Sequence, residues 1–170
     1  MGQKQDLIAI IGQEKYDELV ANIPERILTE INVNFSEYLL TKDEQGILNF
    51  YGDLLNNTTH TSTPKLVGDI MIFTSHIHDL LKRIVETKEN DETIKSKVVR
   101  FDLHYLILFC VARYNIPNDH FGELMELKHY RNLVAHDFNS VLETHPKDLM
   151  EATAKGAFLV IVLVGILRGD

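Results

Sequence analysis

A single cysteine, Cys110, stands in this 170-residue chain, so no internal disulfide can brace it and a reducing compartment is the expected setting. Cys110 lies in the apolar run from Tyr105 to Ala112, where a thiol behaves as a small buried hydrophobe rather than a nucleophile. An excess of basic charge is lacking too. Seventeen Lys and Arg against 25 Asp and Glu give a formal net charge of -8 and a pI near 5.4. That excludes a protein held to nucleic acid mainly by non-specific charge, while leaving room for a local cationic site. Long hydrophobic runs are missing as well. The uninterrupted apolar stretch near the end runs only from Gly156 to Leu167, short of the roughly 20 residues that span a bilayer, so a buried closing helix and no membrane partner are expected. The first residues, Met1 to Asp6, lead into only a short apolar patch and carry no secretory signal. A cytoplasmic location follows as the expectation.

The common chemical signatures are also absent. The chain has no Gly-rich phosphate loop, no Gly-x-Ser-x-Gly, no His-Glu-x-x-His and no Cys-x-x-Cys. Its eight histidines show no paired zinc-like spacing, so neither a metal nor another cofactor is expected. His76 and His78 would face opposite sides of a helix, which argues against a shared ion. Clusters of Lys and Arg interleaved with aromatics, as in an RNA-binding groove, are not evident.

What is present reads as helix throughout. Asp6 to Ala21 carries a loose helical pattern behind a candidate Asp6 cap. Pro24 suits the first turn of a second helix with Ile27, Leu28, Ile31 and Phe35. Thr41 and Glu44 have capping-box spacing and should open a third helix through Ile47 to Leu55. Asn56 to Pro64, with His60, reads as a loop. Beyond Thr63-Pro64 the residues Leu66, Ile70, Phe73, Ile77, Leu81 and Ile84 make the clearest amphipathic stripe. Lys88 to Glu92 is a polar turn. From Thr93 to Tyr114 one further helix is expected, with Ile94, Val98, Phe101, Tyr105, Leu108 and Ala112 on its stripe. Asn118 or Asp119 should cap the next, running to about His136. After a polar loop, Pro146 restarts a helix that ends near Leu167; its β-branched residues would suit a strand, but no other strand candidate exists to pair with it. The expected fold is all-α: a bundle of four to five core helices over 61–170, with an N-terminal helical extension over 1–60.

One stretch stands out, Tyr130 to His136. It places Arg131, Asn132 and His136 within two helical turns, among apolar neighbours. At 100° per residue Arg131 falls in the middle of the face bearing Leu124, Leu127, Val134, Ala135 and Phe138, where a guanidinium needs a partner. His136 falls roughly 140° away from it on an ideal helix, while Asn132 shares the face of His136, with His129 near it. A plain structural reading pairs Arg131 with Asp102 or Glu123 and leaves His136 to favour the helix C-terminus.

Arg131-Asn132-Leu133-Val134-Ala135-His136, an arginine, four residues and a histidine at the end of a helix in a small all-α bundle, resembles the motif of the HEPN superfamily. Asn132 matches the polar residue that often follows the arginine. The section from Lys97 to His136 is also loosely similar to the mannitol-repressor group, which has a related helical layout. HEPN similarity implies metal-independent RNA cleavage by attack of the 2′-OH on the neighbouring phosphate, in a toxin or defence effector. Histidine at position 136 would then move protons near neutral pH. Arg131 would hold the phosphate oxygens as charge builds, and Asn132 would orient the phosphate or His136. Lys128 and His129 stand close enough in sequence to help bind substrate. The resemblance also implies a homodimer in which two motifs line one cleft, which would resolve the 140° divergence, and an antitoxin or regulatory protein as partner. Some members instead serve as non-catalytic interaction modules, some of them beside a nucleotidyltransferase.

Overall fold

The computed structural model describes residues 2–23, 63–137, 141, 144 and 146–169. Among these it is entirely helical, as expected, with seven helices, no strand and a packed core. The helices are α1 (Gln3–Ile11), α2 (Gln13–Ala21), α3 (Thr63–Lys88), α4 (Glu92–Val98), α5 (Leu103–Tyr114), α6 (Asn118–His136) and α7 (Pro146–Arg168). The helices expected from Ile27 to Phe35 and from Ile47 to Leu55, the Thr41–Glu44 capping box, the loop holding His60, and Phe138 lie outside the described residues, as does most of the loop before α7.

The stripe on α3 forms the floor of the core. Leu66, Ile70, Phe73, Ile77, Leu81 and Ile84 are all at most 1% exposed, and α7, α6 and α5 each pack against this helix. α5 is buried nearly all round, from Leu106 to Val111. α7 lies mainly on α3 and also on α6, to which it runs antiparallel: Lys155 of α7 bonds Glu126 at 3.0 Å, while Phe158, further along, meets His120 at 5.7 Å between ring centroids. Gly156 permits this close packing. A Cβ there would stand 3.1 Å from Phe73 Cβ and 3.3 Å from a Leu127 methyl. α7 as a whole is longer than its uninterrupted apolar run. By length and composition Asp148–Arg168 could cross a bilayer, and 44% of its apolar window is buried inside the protein.

Local structure departs from the expected pattern in three places. The N-terminal helix is two helices, because Gly12 adopts φ 88° and donates its N–H to the Ile8 carbonyl, a backbone state that glycine reaches without a Cβ clash. Because α1 starts at Gln3, Asp6 lies in its first turn rather than capping it, and accepts from Lys97 Nζ at 3.3 Å. The long helix expected from Thr93 is also two. Asp91 caps α4 through Thr93 N (2.8 Å) and Ile94 N (3.2 Å), and Asp102 caps α5 through Tyr105 N (3.2 Å). An aspartate at an N-cap satisfies amides that a continuing helix would otherwise bond, so a new helix starts at Asp102. At α6 neither Asn118 nor Asp119 supplies a cap: Pro117 occupies that position and no side chain bonds the helix end.

Candidate functional site

The motif occupies the last turns of α6, and burial divides it. Arg131 is 5% exposed and Asn132 5%, whereas His136, at the final residue of the helix, is exposed. Asn132, expected on the face of His136, is instead buried with Arg131, so what sets His136 apart is its place at the helix end. Arg131 Nη1 donates to Asn132 Oδ1 at 2.8 Å. The two neighbours form a guanidinium–amide pair that fixes the orientation of the arginine head.

Burial lowers the Arg131 pKa to about 10, because a charge taken out of water loses hydration; the carboxylate of Asp102 partly restores it. Asp102 responds in the complementary way. Burial raises its pKa above the usual range, while bonds from the α5 amides and the charges of Lys128 and Arg131 pull it down. Asp102 thereby joins two jobs, capping α5 and supplying negative potential at the motif. Its own backbone N–H donates to Gln3 Oε1 of α1 at 2.8 Å, a link across 99 positions of which the sequence holds no local signal. Glu123, the alternative partner, is engaged elsewhere, with His120 Nδ1 at 3.2 Å.

Lys128 is 3% exposed, one turn before Asn132 on the inner side of α6. His129 is half-buried and stands edge-on to Tyr130, with ring centroids 5.5 Å apart. α3 adds His78, which is 8% exposed with Nε2 3.5 Å from the Phe101 carbonyl oxygen. Burial, together with the positive charges of Lys82 and Arg131, lowers its pKa to about 4, so it is neutral at physiological pH. His76 is only half-buried, and burial lowers its pKa as well. No group of three or more His, Cys, Asp or Glu among the described residues could hold a metal ion.

The described geometry therefore brings Arg131, Asn132, Lys128, Asp102 and His78 into one polar neighbourhood beneath α6, and leaves His136 on the surface. Of these, His78 had carried no signal in the sequence beyond a pairing with His76. No family model, curated protein or solved structure matches this chain.

Proposed function

We propose that this chain is a HEPN-like helical module that acts by binding another macromolecule, with the Arg131-to-His136 motif serving as a structural element of the bundle. One observation carries this reading. The guanidinium of Arg131 is buried, bonded to Asn132 and set in the field of Asp102 of the same chain, while His136 lies outside. A phosphoryl-transfer site needs its anion-holding donors and its proton carrier to reach the same atoms, and within one chain these two diverge. A regulatory role like that of the mannitol-repressor group, or a place beside a nucleotidyltransferase, fits such a module. The test is twofold. No RNA should be cut by the purified protein, and Arg131→Ala should lower the melting temperature. Losing a charged hydrogen bond in a buried setting costs roughly 2 kcal/mol, or about 4–8 °C for a domain of this size. An unchanged melting temperature removes the structural role.

A second reading is supported by the exposure of His136 at the same helix end, one turn beyond Asn132. In it the chain is a metal-independent endoribonuclease of toxin or defence type, and two copies pool their motifs. His136 of one copy moves the protons of 2′-OH attack, while Arg131 and Asn132 hold the phosphate and Lys128 and His129 help to bind the RNA. This reading expects cleavage in the presence of a chelator, products ending in a 2′,3′-cyclic phosphate, and abolition of cutting by His136→Ala with the fold intact. Continued cleavage by that variant would reject it.

A further inference from the structure

We infer that α7 is a self-association surface, pairing antiparallel with α7 of a second copy of this chain. None of the observations behind it involves the motif. Its starting point is Phe158, which is 40% exposed and is the exposed large hydrophobic residue among those described. On the outward side of α7 the residues Glu151, Ala154, Phe158, Ile161, Gly165 and Arg168 recur at alternating spacings of three and four. That is the seam repeat of helices that pack side by side. The opposite side, with Leu149, Ala152, Gly156, Leu159, Val160 and Leu163, is buried in the bundle.

The seam is complementary to itself in one orientation. With a two-fold axis between Leu159 and Val160, Phe158 faces the partner's Ile161 and Ala154 faces the partner's Gly165. The exposed Glu151, which also pairs with Lys155 of its own chain at 3.0 Å, then faces the partner's exposed Arg168. Large meets large or branched, small meets small, and acid meets base, as an isologous contact requires. A parallel pairing would set each charge against its like. Gly165 leaves room for such an approach. A Cβ there would meet nothing within 4 Å, so nothing in the chain's own described packing requires glycine, although glycine inside a helix costs about 1 kcal/mol relative to alanine. Gly156, by contrast, is demanded by Phe73 and Leu127. Gly68 and Gly122 stand in helices with equally open space, so Gly165 permits a close backbone approach on this face without requiring one.

The seam is one helix face, ~27 Å long at 1.5 Å per residue, and narrower than interfaces that bury roughly 1,200–2,000 Å². Association is therefore concentration-dependent. The pairing also separates the motifs. Because α6 runs antiparallel to α7, the two His136 ends point away from the axis and lie on the order of 40 Å apart, too far to line one cleft.

Sedimentation equilibrium of the full chain, from micromolar to submillimolar protein, tests this. A monomer–dimer equilibrium is expected, with Phe158→Glu abolishing it while the circular dichroism stays helical. Should that variant misfold, charge exchange at the exposed ends replaces it. Glu151→Arg or Arg168→Glu alone should weaken association about tenfold, through two symmetric contacts per dimer, and the double exchange should restore it. Orientation is read by mixing an Ala154→Cys chain with a Gly165→Cys chain. Oxidation should cross-link the mixture and neither chain alone. A monomer at every concentration overturns the proposal, and so does a dimer indifferent to the seam variants. Phospholipid-vesicle binding lost on Phe158→Glu in a chain that remains monomeric would assign the face to a membrane instead.

Discussion

At the scale of single residues, the neighbourhood beneath α6 makes stability depend on pH through His78. Its folded pKa, about 4, lies below the roughly 6.5 of an unfolded histidine. The unfolded chain therefore binds the proton more readily, and stability falls as pH falls from the unfolded value through the folded one. The contribution is fully present above about pH 6.5 and is lost by about pH 4, amounting to roughly 3 kcal/mol at most. His76, half-buried with a lowered pKa, acts in the same sense. Asp102 acts oppositely, since a carboxyl whose pKa burial has raised is destabilising when ionised and gains from acidification. Because its rise is opposed by α5 amides, Lys128 and Arg131, His78 should dominate. Melting temperatures measured between pH 7.5 and 4.5 should fall steeply for the native chain and less steeply for His78→Gln, which can still donate to the Phe101 carbonyl. Equal slopes would show that His78 does not carry the dependence.

At the scale of elements, the contact of α7 with α3 and α6 rests on Gly156. Gly156→Ala would place a methyl group 3.1 Å from Phe73 Cβ and 3.3 Å from Leu127. Both neighbours are themselves held in the core, so the helices must shift. Overpacking costs about 1–3 kcal/mol, more than the ~1 kcal/mol that alanine gains over glycine in helix propensity. The variant should therefore melt lower, whereas Gly165→Ala, measured at dilutions where the chain is monomeric, should melt no lower than the native protein. Equal shifts in the two variants would contradict the packing argument. These elements also mark what the sequence made legible. The α3 stripe, the Pro146 start of α7 and the end of α6 at His136 could be read from period and punctuation, because each is written in local sequence. The split at Gly12 and the restart at Asp102 have local signals too, a glycine and an aspartate before an apolar run, but a continuing apolar stripe masks both. Not legible were contacts between distant residues. Gln3 accepts the Asp102 N–H, and Glu89, read as part of a polar turn, is 4% exposed and accepts from Arg113 Nε. Helical angles could set Arg131 and His136 apart, but only the arrangement of neighbouring helices decides which of them is buried.

At the scale of the whole molecule, the first helices bear on how the bundle unfolds. Leu7 is 0% exposed, Tyr16 8% and Leu19 3%, and all three belong to the same buried cluster as Phe109 and Ile84. α1 packs on α5 and α4, tied there by Gln3 to Asp102 and by Asp6 to Lys97. A segment that shares its core with the bundle should melt with it, since residues packed in one core tend to unfold as one cooperative unit. Leu7→Ala removes a fully buried side chain at a cost of about 2–5 kcal/mol. It should lower the single transition of the whole protein rather than create an early one confined to the N-terminus. Far-ultraviolet circular dichroism gives the transition, and hydrogen exchange at the α5 amides shows whether the centre of the bundle responds. Two separate transitions, or α5 protection unchanged by Leu7→Ala, would make the N-terminal helices an appendage. Protection lost together would instead make them part of the frame around the motif, because the α1 side chain that bonds the Asp102 amide holds the residue whose carboxylate faces Arg131.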